Sequence, residues 1–354
     1  MNILITGGAG FVGSSLALHF KNKFPSGRIA VLDNLKRRGS EINLQKFKEN
    51  SIEFIHGDIR NPSDFEPLKK AWDIFFECSA EPSVLAGLNS SPKYLLETNL
   101  VGTINCLEFA KQYCGLFIFL STSRVYSISP LREINLVEKA TRFEVAPNQS
   151  IVGVSPTGIS EKFPTDLSRS LYGTSKLASE YLVQEYATTY GLKSLINRCG
   201  VIAGPGQFGK VDQGVYTLWV ARHFFNQPLK YTGFGGTGKQ VRDLIHIRDL
   251  ISLLEKQVQT QTGLEAPTFN VGGGNFCSTS LFELTHLCQE VTGNRVEITN
   301  EKETTPVDIP WYVSDNEKVQ KRFDWKPKHT VKDLVSDIKI WLSNNQTLLK
   351  SSFC

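Results

Sequence analysis

The sequence predicts a doubly wound α/β fold, in which helices cover both faces of a parallel sheet, together with a smaller mixed α/β domain in the C-terminal part. Short, continuously apolar segments alternate with helical patterns through the first half of the chain, which is typical of strands buried on both faces. A glycine cluster directly follows the first apolar segment. Beyond residue 200 the alternation loosens and glycine and proline cluster, as in loops around a binding site.

The predicted strands are apolar runs that are too short to be buried helices. They lie at Ile3–Ile5, Ile29–Leu32, Phe54-Ile55, Asp73–Cys78 and Leu116–Leu120. The predicted helices lie at Phe11–Phe20, Tyr94–Tyr113, Ser280–Val291 and Val331–Leu342. We expect Ser278 and Thr279 to cap the third of these helices, and the polar tail Ser343–Cys354 to fray.

The composition excludes several classes of protein. With 40% hydrophobic residues and a net charge of +4 without a basic stripe, the chain is not expected to bind nucleic acid. Its seven cysteines are scattered and form no Cys-x-x-Cys pair, so we expect free thiols and neither a disulfide framework nor a metal site. Neither a signal peptide nor a membrane span is predicted, which makes the cytoplasm the expected location.

The glycine cluster Gly7-Gly8-Ala9-Gly10-Phe11-Val12-Gly13 lies between a predicted strand and a predicted helix. Glycines there permit a tight turn and a close approach of the backbone to a pyrophosphate, whose charge favours the helix N-terminus. Asp33 ends the next strand, where a carboxylate accepts hydrogen bonds from a ribose and repels a 2′-phosphate. This pattern predicts a Rossmann-type domain that binds NAD rather than NADP, although Arg37 and Arg38 weaken that preference.

Tyr172 and Lys176 are four residues apart, which places a phenol and an ammonium on one face of a helix. A neighbouring cation stabilises the phenolate, so that tyrosine can act as a general base. Hydroxyl residues follow a predicted strand at Ser121, Thr122 and Ser123, at the sheet edge where doubly wound folds bind ligands. We expect Thr122 to hydrogen-bond a substrate hydroxyl beside Tyr172, with Ser121 and Ser123 competing for that role.

These motifs together resemble the extended short-chain dehydrogenase/reductase family, that is, the NAD-dependent epimerases and dehydratases. The resemblance extends over nearly the whole chain. It includes further segments at His56-Gly57-Asp58-Ile59, Glu97-Thr98-Asn99-Leu100, Arg198, Arg242-Asp243-Leu244-Ile245-His246 and Phe269-Asn270-Val271-Gly272-Gly273. It implies that residues 1–200 form the NAD-binding domain, with a later contribution around 240–272, and that residues 201–354 mainly bind a nucleotide sugar and are intertwined with the first domain.

The resemblance also implies the roles of individual residues. The implied catalytic residues are Thr122, Tyr172 and Lys176. The implied cofactor-binding residues are Gly7, Gly10, Phe11, Val12, Gly13, Asp33, Asn34, Arg37, Asp58, Ile59, Ser79, Ala80, Asn99, Tyr172 and Lys176. The implied substrate-binding residues are Glu81, Thr122, Ser123, Arg124, Asp212, Gln213, Gln240, Arg242 and Asp308. Arg242 would hold a substrate phosphate, and a structural salt bridge to a neighbouring carboxylate such as Asp243 is the alternative.

Three segments are similar to the CDP-tyvelose (CDP-paratose) 2-epimerase group of this family. They are Thr141-Arg142-Phe143 after Glu138, Gln207-Phe208 with Asp212-Gln213-Gly214, and Gly238-Lys239-Gln240-Val241-Arg242-Asp243. This similarity implies C2 epimerisation of a CDP-deoxyhexose through a keto intermediate, with tightly bound NAD, in the synthesis of lipopolysaccharide O-antigen. It also implies a homodimer or a homotetramer, with the helices at 94–113 and 172–190 as candidate interfaces.

Other functions remain open from the sequence. A UDP-sugar 4-epimerase uses the same three catalytic residues, and a nucleotide-sugar dehydratase or reductase and a non-catalytic NAD-binding regulator are further alternatives. The dehydratases carry Thr-Asp-Glu at the active threonine, whereas Ser123 and Arg124 follow Thr122 here. Glu77 stands where family members often have histidine, and basic residues expected near Gly206 and at Thr305 are absent. The two missing basic residues indicate different diphosphate contacts or a different sugar, and Arg124 is a candidate to compensate.

Overall fold

The computed structural model describes residues 1–210, 213–260 and 265–353, with the side chain of Ser351 left out. The chain divides into two compact units, each made of several segments. The first comprises Met1–Val125, Ser170–Arg198 and Ile251–Phe269, and the second comprises Tyr126–Arg169, Cys199–Leu250 and Asn270–Cys354. Within the described residues, no helix has the length and apolar character needed to cross a membrane.

The strands in chain order are β1 (Ile3–Thr6), β2 (Ile29–Asp33), β3 (Glu53–His56), β4 (Trp72–Glu77), β5 (Cys114–Thr122), β6 (Leu136–Glu138), β7 (Phe143–Val145), β8 (Val154–Ser155), β9 (Gly158–Ile159), β10 (Ser194–Cys199), β11 (Val201–Ala203), β12 (Leu229–Thr232), β13 (Val241–His246), β14 (Glu265–Val271), β15 (Ser278–Ser280), β16 (Ile298–Glu301) and β17 (Trp311–Tyr312).

The α-helices are α1 (Phe11–Lys23), α2 (Asn43–Glu49), α3 (Lys93–Leu96), α4 (Gly102–Tyr113), α5 (Ile128–Glu133), α6 (Leu171–Tyr190), α7 (Val215–Phe224), α8 (Ile247–Gln259), α9 (Leu281–Thr292), α10 (Glu317–Phe323), α11 (Val331–Asn344) and α12 (Gln346–Phe353). Short 3₁₀ turns lie at Ser40–Ile42, Pro62–Leu68, Ser123–Val125, Phe234–Gly236 and Asn275–Cys277.

A seven-stranded sheet forms the centre of the first unit, in the order β14-β10-β5-β4-β1-β2-β3. Strand β1 pairs in parallel with β2 and β4, and the outer pairs β2–β3 and β4–β5 are also parallel. The order reverses between β1 and β4, which brings the carboxyl ends of these strands together at a crevice. The predicted doubly wound α/β fold is confirmed.

The central strands are apolar because both faces of the sheet are covered. Every residue of β1 is buried, and so are the apolar side chains of β4 and those of Leu116–Leu120 in β5. Aromatic side chains fill one core layer, where Phe75 makes an edge contact with Phe117 at 5.2 Å between ring centroids. This packing fixes the strand ends that carry the polar residues of the site.

The predicted helix at 94–113 is present but is interrupted by a π-helical segment at Glu97–Val101, between α3 and α4. A π segment inserts an extra residue into the helical ladder and rotates the side chains around it, often at a functional site. Here it carries Asn99, whose side chain is fully buried.

The second unit combines small sheets with a helical core. Strand β13 pairs in parallel with β11 and β17 and antiparallel with β15, and β12 pairs with β16. Helices α7, α9 and α11 pack on one another around buried apolar residues. Together they form a mixed α/β unit of the kind predicted for the C-terminal part.

Two local predictions in this unit were wrong. The caps expected at Ser278 and Thr279 lie in β15, and α9 is capped by Ser280, whose hydroxyl accepts from the Glu283 amide in a capping box. The tail expected to fray forms α12, because Leu349 and Phe353 are buried in the helical core.

Candidate active site

The loop between β1 and α1 forms a narrow cradle that tolerates only glycine at two positions. A Cβ at Gly13 would lie 2.3 Å from the Gly7 carbonyl oxygen, and a Cβ at Gly7 would lie 2.8 Å from the backbone of Cys78. Helix α1 starts at Phe11 with Gly10 as its N-cap and no acidic residue in its first turn. The positive end of the helix and the glycine backbone of the loop fit the pyrophosphate of a dinucleotide.

Asp33 lies at the carboxyl end of β2, against this loop. Its Oδ2 accepts from the Ala9 amide at 3.0 Å and its Oδ1 accepts from the Leu35 amide at 2.8 Å. Burial raises the pKa of Asp33, and the backbone hydrogen bonds reduce this rise without cancelling it. The carboxylate is therefore held in place while its remaining lone pairs are available to ribose hydroxyls.

Asp58 and Asn34 lie side by side beyond β3 and β2. Asn34 Nδ2 donates to Asp58 Oδ2 at 2.9 Å, and Arg60 Nη2 donates to the same oxygen at 2.7 Å. Burial opposes ionisation of Asp58, but the hydrogen bonds from Arg60 and Asn34 outweigh it and lower the pKa to about 2. Ile59 is buried against Gly102, and Arg37 lies half-buried in the loop after β2.

Asn99 fixes the loop that follows β4. Its Nδ2 donates to the Glu81 carbonyl at 3.1 Å and to Ser175 Oγ at 3.1 Å, and its Oδ1 accepts from the Glu81 amide at 2.8 Å. The segment that contains Ser79 and Ala80 leads into this loop and is partly buried. Asn99 thus ties the loop after β4 to α6, the helix of the predicted base.

Tyr172 and Lys176 lie on one face of α6, as predicted. Helix α6 begins after Ser170, whose Oγ accepts from the Gly173 amide at 3.1 Å, so Tyr172 lies in the first turn. The side chain of Lys176 is 2% exposed and Tyr172 is 9% exposed. Helix α6 packs on β5 and on the turn after it, which brings the tyrosine helix to the strand that ends at Thr122.

The structure separates the three hydroxyl residues that compete at the end of β5. Ser121 Oγ donates to Glu180 in the interior. Thr122 is 8% exposed, and its Oγ1 accepts from the Arg124 amide at 3.2 Å. Ser123 and Arg124 follow in the 3₁₀ turn and are partly exposed. The hydroxyl of Ser121 is thus committed to the interior, which favours Thr122 over Ser121 beside the tyrosine.

Lys176 is held between an acid and an aromatic ring. Its Nζ lies 3.8 Å from Glu77 Oε2 and 3.9 Å from the ring centroid of Phe119. Burial raises the pKa of Glu77, whereas the charge of Lys176 opposes that rise. The ammonium is therefore compensated by a carboxyl group inside the protein.

In the second unit, Arg242 is engaged by Asp308. Its Nη2 donates to Asp308 Oδ1 at 2.9 Å and to the Ile309 carbonyl at 2.7 Å. The neighbouring carboxylate suggested as its alternative partner, Asp243, instead accepts from the Gly274 amide at 3.1 Å. The alternative of a structural salt bridge is therefore present, with Asp308 rather than the adjacent Asp243 as the partner, because consecutive side chains of a strand point to opposite faces.

Of the other predicted substrate-binding residues in this part of the chain, Gln240 and Gln213 are described by the structure and Asp212 is not. Gln240 is 6% exposed and its Nε2 donates to the Thr232 carbonyl at 3.0 Å, while its Oε1 is buried without a hydrogen-bond partner among the described residues. The Gln213 amide donates to the Lys210 carbonyl at 3.2 Å. Asp212 lies outside the described residues.

Sequence reasoning missed two sets of polar contacts. Glu180, two turns after Tyr172 on α6, pairs with Arg198 on β10. No local spacing in the sequence indicated this contact, because it joins a helix to a strand 18 residues later. Arg132 donates from α5 to the carbonyls of Thr305 and Asp308, at 2.7 and 2.9 Å. No spacing in the sequence indicated Arg132, because it lies more than 170 residues away from its partners.

Comparison with known proteins identifies the family. The model of the NAD dependent epimerase/dehydratase family matches residues 3–272. The chain is 32% identical to the CDP-paratose 2-epimerase of Salmonella typhi, over 97% of this chain and 100% of that protein. It is 27% identical to the dTDP-glucose 4,6-dehydratase of Salmonella typhimurium, over 98% and 94% of the two chains.

Solved structures agree with this assignment. The structure of Pal from Bacillus thuringiensis superposes with a TM-score of 0.78 at 25% identity, covering 97% of this chain and 99% of that one. The UDP-glucose 4-epimerase of Thermus thermophilus, solved with NAD, gives a TM-score of 0.74 at 25% identity and covers 97% and 99% of the two chains. The chain therefore belongs to the NAD-dependent epimerase/dehydratase family, as an enzyme with NAD as its cofactor and with nucleotide-sugar epimerases and dehydratases as its relatives.

Proposed function

We propose that the protein epimerises C2 of a CDP-deoxyhexose through a keto intermediate, with NAD tightly bound. The observation that carries this proposal is the buried pair of Tyr172 and Lys176 on one face of α6, packed on the strand that ends at Thr122. Similarity to a CDP-paratose 2-epimerase over 97% of this chain and 100% of that protein supports the choice of substrate. Such a step belongs to the synthesis of lipopolysaccharide O-antigen, which we propose as the biological role.

Tyr172 is the proposed general base. A phenolate at this position gains from the positive N-terminal end of α6 and from the ammonium of Lys176 one turn later. Tyr172 would take the proton of the C2 hydroxyl as the carbonyl forms, and would return a proton to the oxygen when the carbonyl is reduced. Lys176 would also hold the cofactor ribose.

Thr122 would hydrogen-bond the same sugar oxygen, first as hydroxyl and then as carbonyl, and so fix it beside Tyr172. When bound, NAD would supply the redox chemistry, as the hydride acceptor and donor for the sugar carbon. Epimerisation then requires that the keto sugar turn in its pocket between the two transfers. We propose that Gly7, Gly13 and Asp33 help to hold the dinucleotide.

Elimination of water is disfavoured by the residues after Thr122. A 4,6-dehydratase needs an acid and a base there, in the form Thr-Asp-Glu, whereas this chain has Ser123 and Arg124. A hydroxyl and a guanidinium provide neither a carboxylate base nor a carboxylic acid at neutral pH. This difference supports an epimerase, although several relatives of the chain are dehydratases by name.

We propose that Arg242 and Gln240 contact the substrate, with Arg242 on the diphosphate. Arg242 is already paired with Asp308, so a phosphate would have to share or replace that carboxylate. Asp212 and Gln213 belong to the same proposal through their resemblance to 2-epimerases. A homodimer or homotetramer and a cytoplasmic location remain predictions.

The proposed function is tested by incubating the purified protein with CDP-paratose, UDP-glucose and dTDP-glucose and identifying each product by NMR. We expect conversion of CDP-paratose alone, without net accumulation of NADH. The Tyr172→Phe variant is the control, and it should retain NAD and lose conversion. Inversion of UDP-glucose at C4, or loss of water from dTDP-glucose, would replace the proposal with the corresponding alternative.

A further inference from the structure

We propose that Glu77 is a positioning residue: it is the buried counter-charge that holds Lys176 in place and sets the pH at which Tyr172 can act as a base. The inference rests on the proposed role of Tyr172 as the general base.

The geometry of Glu77 is unusual for a carboxyl group. It is the last residue of β4 and its side chain is 0% exposed, while Lys176 is 2% exposed. Glu77 Oε2 lies 3.8 Å from Lys176 Nζ, and a hydrogen bond from the Ser79 backbone also acts on the carboxyl group and lowers its pKa. A buried carboxylate is costly inside a protein unless hydrogen bonds and an opposite charge compensate it.

The surroundings of Glu77 show which charge compensates it. Thr6 of β1 and Phe119 of β5 lie opposite Glu77 in the sheet, and Cys106 of α4 and Lys176 of α6 face it from the helices. Burial raises the pKa of Cys106, and the charge of Glu77 raises it further, so this thiol stays neutral. Lys176 therefore supplies the positive charge that acts on Glu77 within the described part of the chain.

Lys176 connects Glu77 to the proposed base, because it lies one helical turn after Tyr172. In this proposal the two side chains and Glu77 titrate as one coupled group. A negative charge in such a cluster makes the next proton harder to remove, whichever group releases it. Glu77 thus keeps Lys176 charged and at the same time raises the pH at which Tyr172 loses its proton.

The test is a titration of Tyr172 that needs no substrate. The near-ultraviolet absorbance of tyrosinate is measured against pH in the NAD-loaded full-length protein and in Glu77→Gln. Subtracting the same curve for the matching Tyr172→Phe variant isolates Tyr172. Glutamine keeps the size of the side chain and removes the charge, so the Tyr172 transition should move to lower pH by about one unit.

Asp73→Asn is the matched control, because it removes one carboxylate from the exposed opposite end of the same strand. Its Tyr172 transition should coincide with that of the unaltered protein. An unmoved transition in folded Glu77→Gln, or an equal shift in Asp73→Asn, overturns the proposal, because a residue that only fills space would not alter the titration.

A second variant covers the case in which Glu77→Gln does not fold. Glu77→Asp keeps the charge and withdraws it by one methylene from Lys176, so it should move the transition in the same direction by a smaller amount. An unmoved transition in this variant also overturns the proposal. Failure of the proposed epimerase function is seen separately, as a lack of sugar conversion with the Tyr172 shift still present.

Discussion

Glu180 and Arg198 form a buried ion pair that joins α6, the helix of the proposed base, to β10. Glu180 lies two turns after Tyr172 on α6, and Arg198 Nη2 lies 2.7 Å from its Oε2, with 1% and 10% of the two side chains exposed. Arg198 Nε donates to the same carboxylate, so the contact is bidentate. The pair fixes α6 to β10, and Ser121 adds a contact to β5.

We predict that Arg198→Met destabilises the protein strongly, because it leaves the Glu180 carboxylate buried without a positive partner. The expected loss in the free energy of unfolding is about 3–5 kcal/mol, measured by urea denaturation. The double variant Arg198→Met with Glu180→Gln should recover much of this loss, since it removes both charges. A double variant as unstable as the single one would show that packing, rather than the charge, dominates.

Asp33 should control the choice between NAD and NADP. Asp33→Asn removes the negative charge that accepts from ribose hydroxyls and repels a 2′-phosphate, so NAD affinity should fall by roughly tenfold while NADP affinity rises. The dissociation constants of both cofactors are measured on protein stripped of nucleotide. Asp73→Asn, an exposed change elsewhere, should leave both constants unaltered. Equal losses for NAD and NADP would contradict the proposed role of Asp33.

Arg242 should affect substrate binding more than turnover. Replacement of Arg242 by alanine removes a charge-assisted contact to the diphosphate and should raise KM by roughly ten- to hundredfold, with a smaller effect on kcat. Arg242→Lys, which keeps the charge but not the paired geometry, should lie in between. The exposed Arg295→Ala is the control and should leave KM unchanged. An unchanged KM in Arg242→Ala would remove this residue from the site.

We predict that the buried His246 makes the folded protein less stable in mild acid. Burial, together with the charge of the nearby His329, lowers the pKa of His246 to about 4. The unfolded chain binds this proton from about pH 6.5 downward, whereas the folded chain does so only near pH 4. The unfolded state therefore gains protons first, and the free energy of unfolding should fall between these pH values by about 3 kcal/mol.

The His246→Asn variant tests this pH dependence. It keeps an acceptor for the Arg248 amide, which now donates to His246 Nδ1 at 3.0 Å, and it cannot be protonated. Its unfolding free energy should vary less between about pH 6.5 and 4 than that of the unaltered protein. The exposed His286→Asn should reproduce the original slope. A slope in His246→Asn as steep as in the unaltered protein would assign the acid sensitivity to other groups.

The main features of the fold were predictable because they depend on local patterns. The strands at Ile3–Thr6 and Cys114–Thr122 are apolar along their length, and only a sheet covered on both faces buries such strands. The glycine loop was predictable because a Cβ at Gly7 or Gly13 would collide with the backbone. The shared face of Tyr172 and Lys176 was predictable because the two residues are four positions apart on one helix.

The remaining features depend on contacts between distant parts of the chain. The partner of Arg242 is Asp308, 66 residues away, and no local pattern distinguishes it from the adjacent Asp243. Helix α12 was missed because its stability comes from burial of Leu349 and Phe353 in a core that the tail sequence does not reveal. The contact of Glu77 with Lys176 likewise joins a strand end to a helix 99 positions later in the chain, so it became visible only in three dimensions.

The most direct test of redox epimerisation at C2 is the hydrogen content of that carbon after turnover in deuterated water. The protein is incubated with CDP-paratose, and the C2 position of the product is examined by NMR. Our account predicts an inverted C2 that still carries the original hydrogen, because hydride leaves and returns without exchange with solvent. Solvent deuterium at C2, or inversion at another carbon, would contradict it.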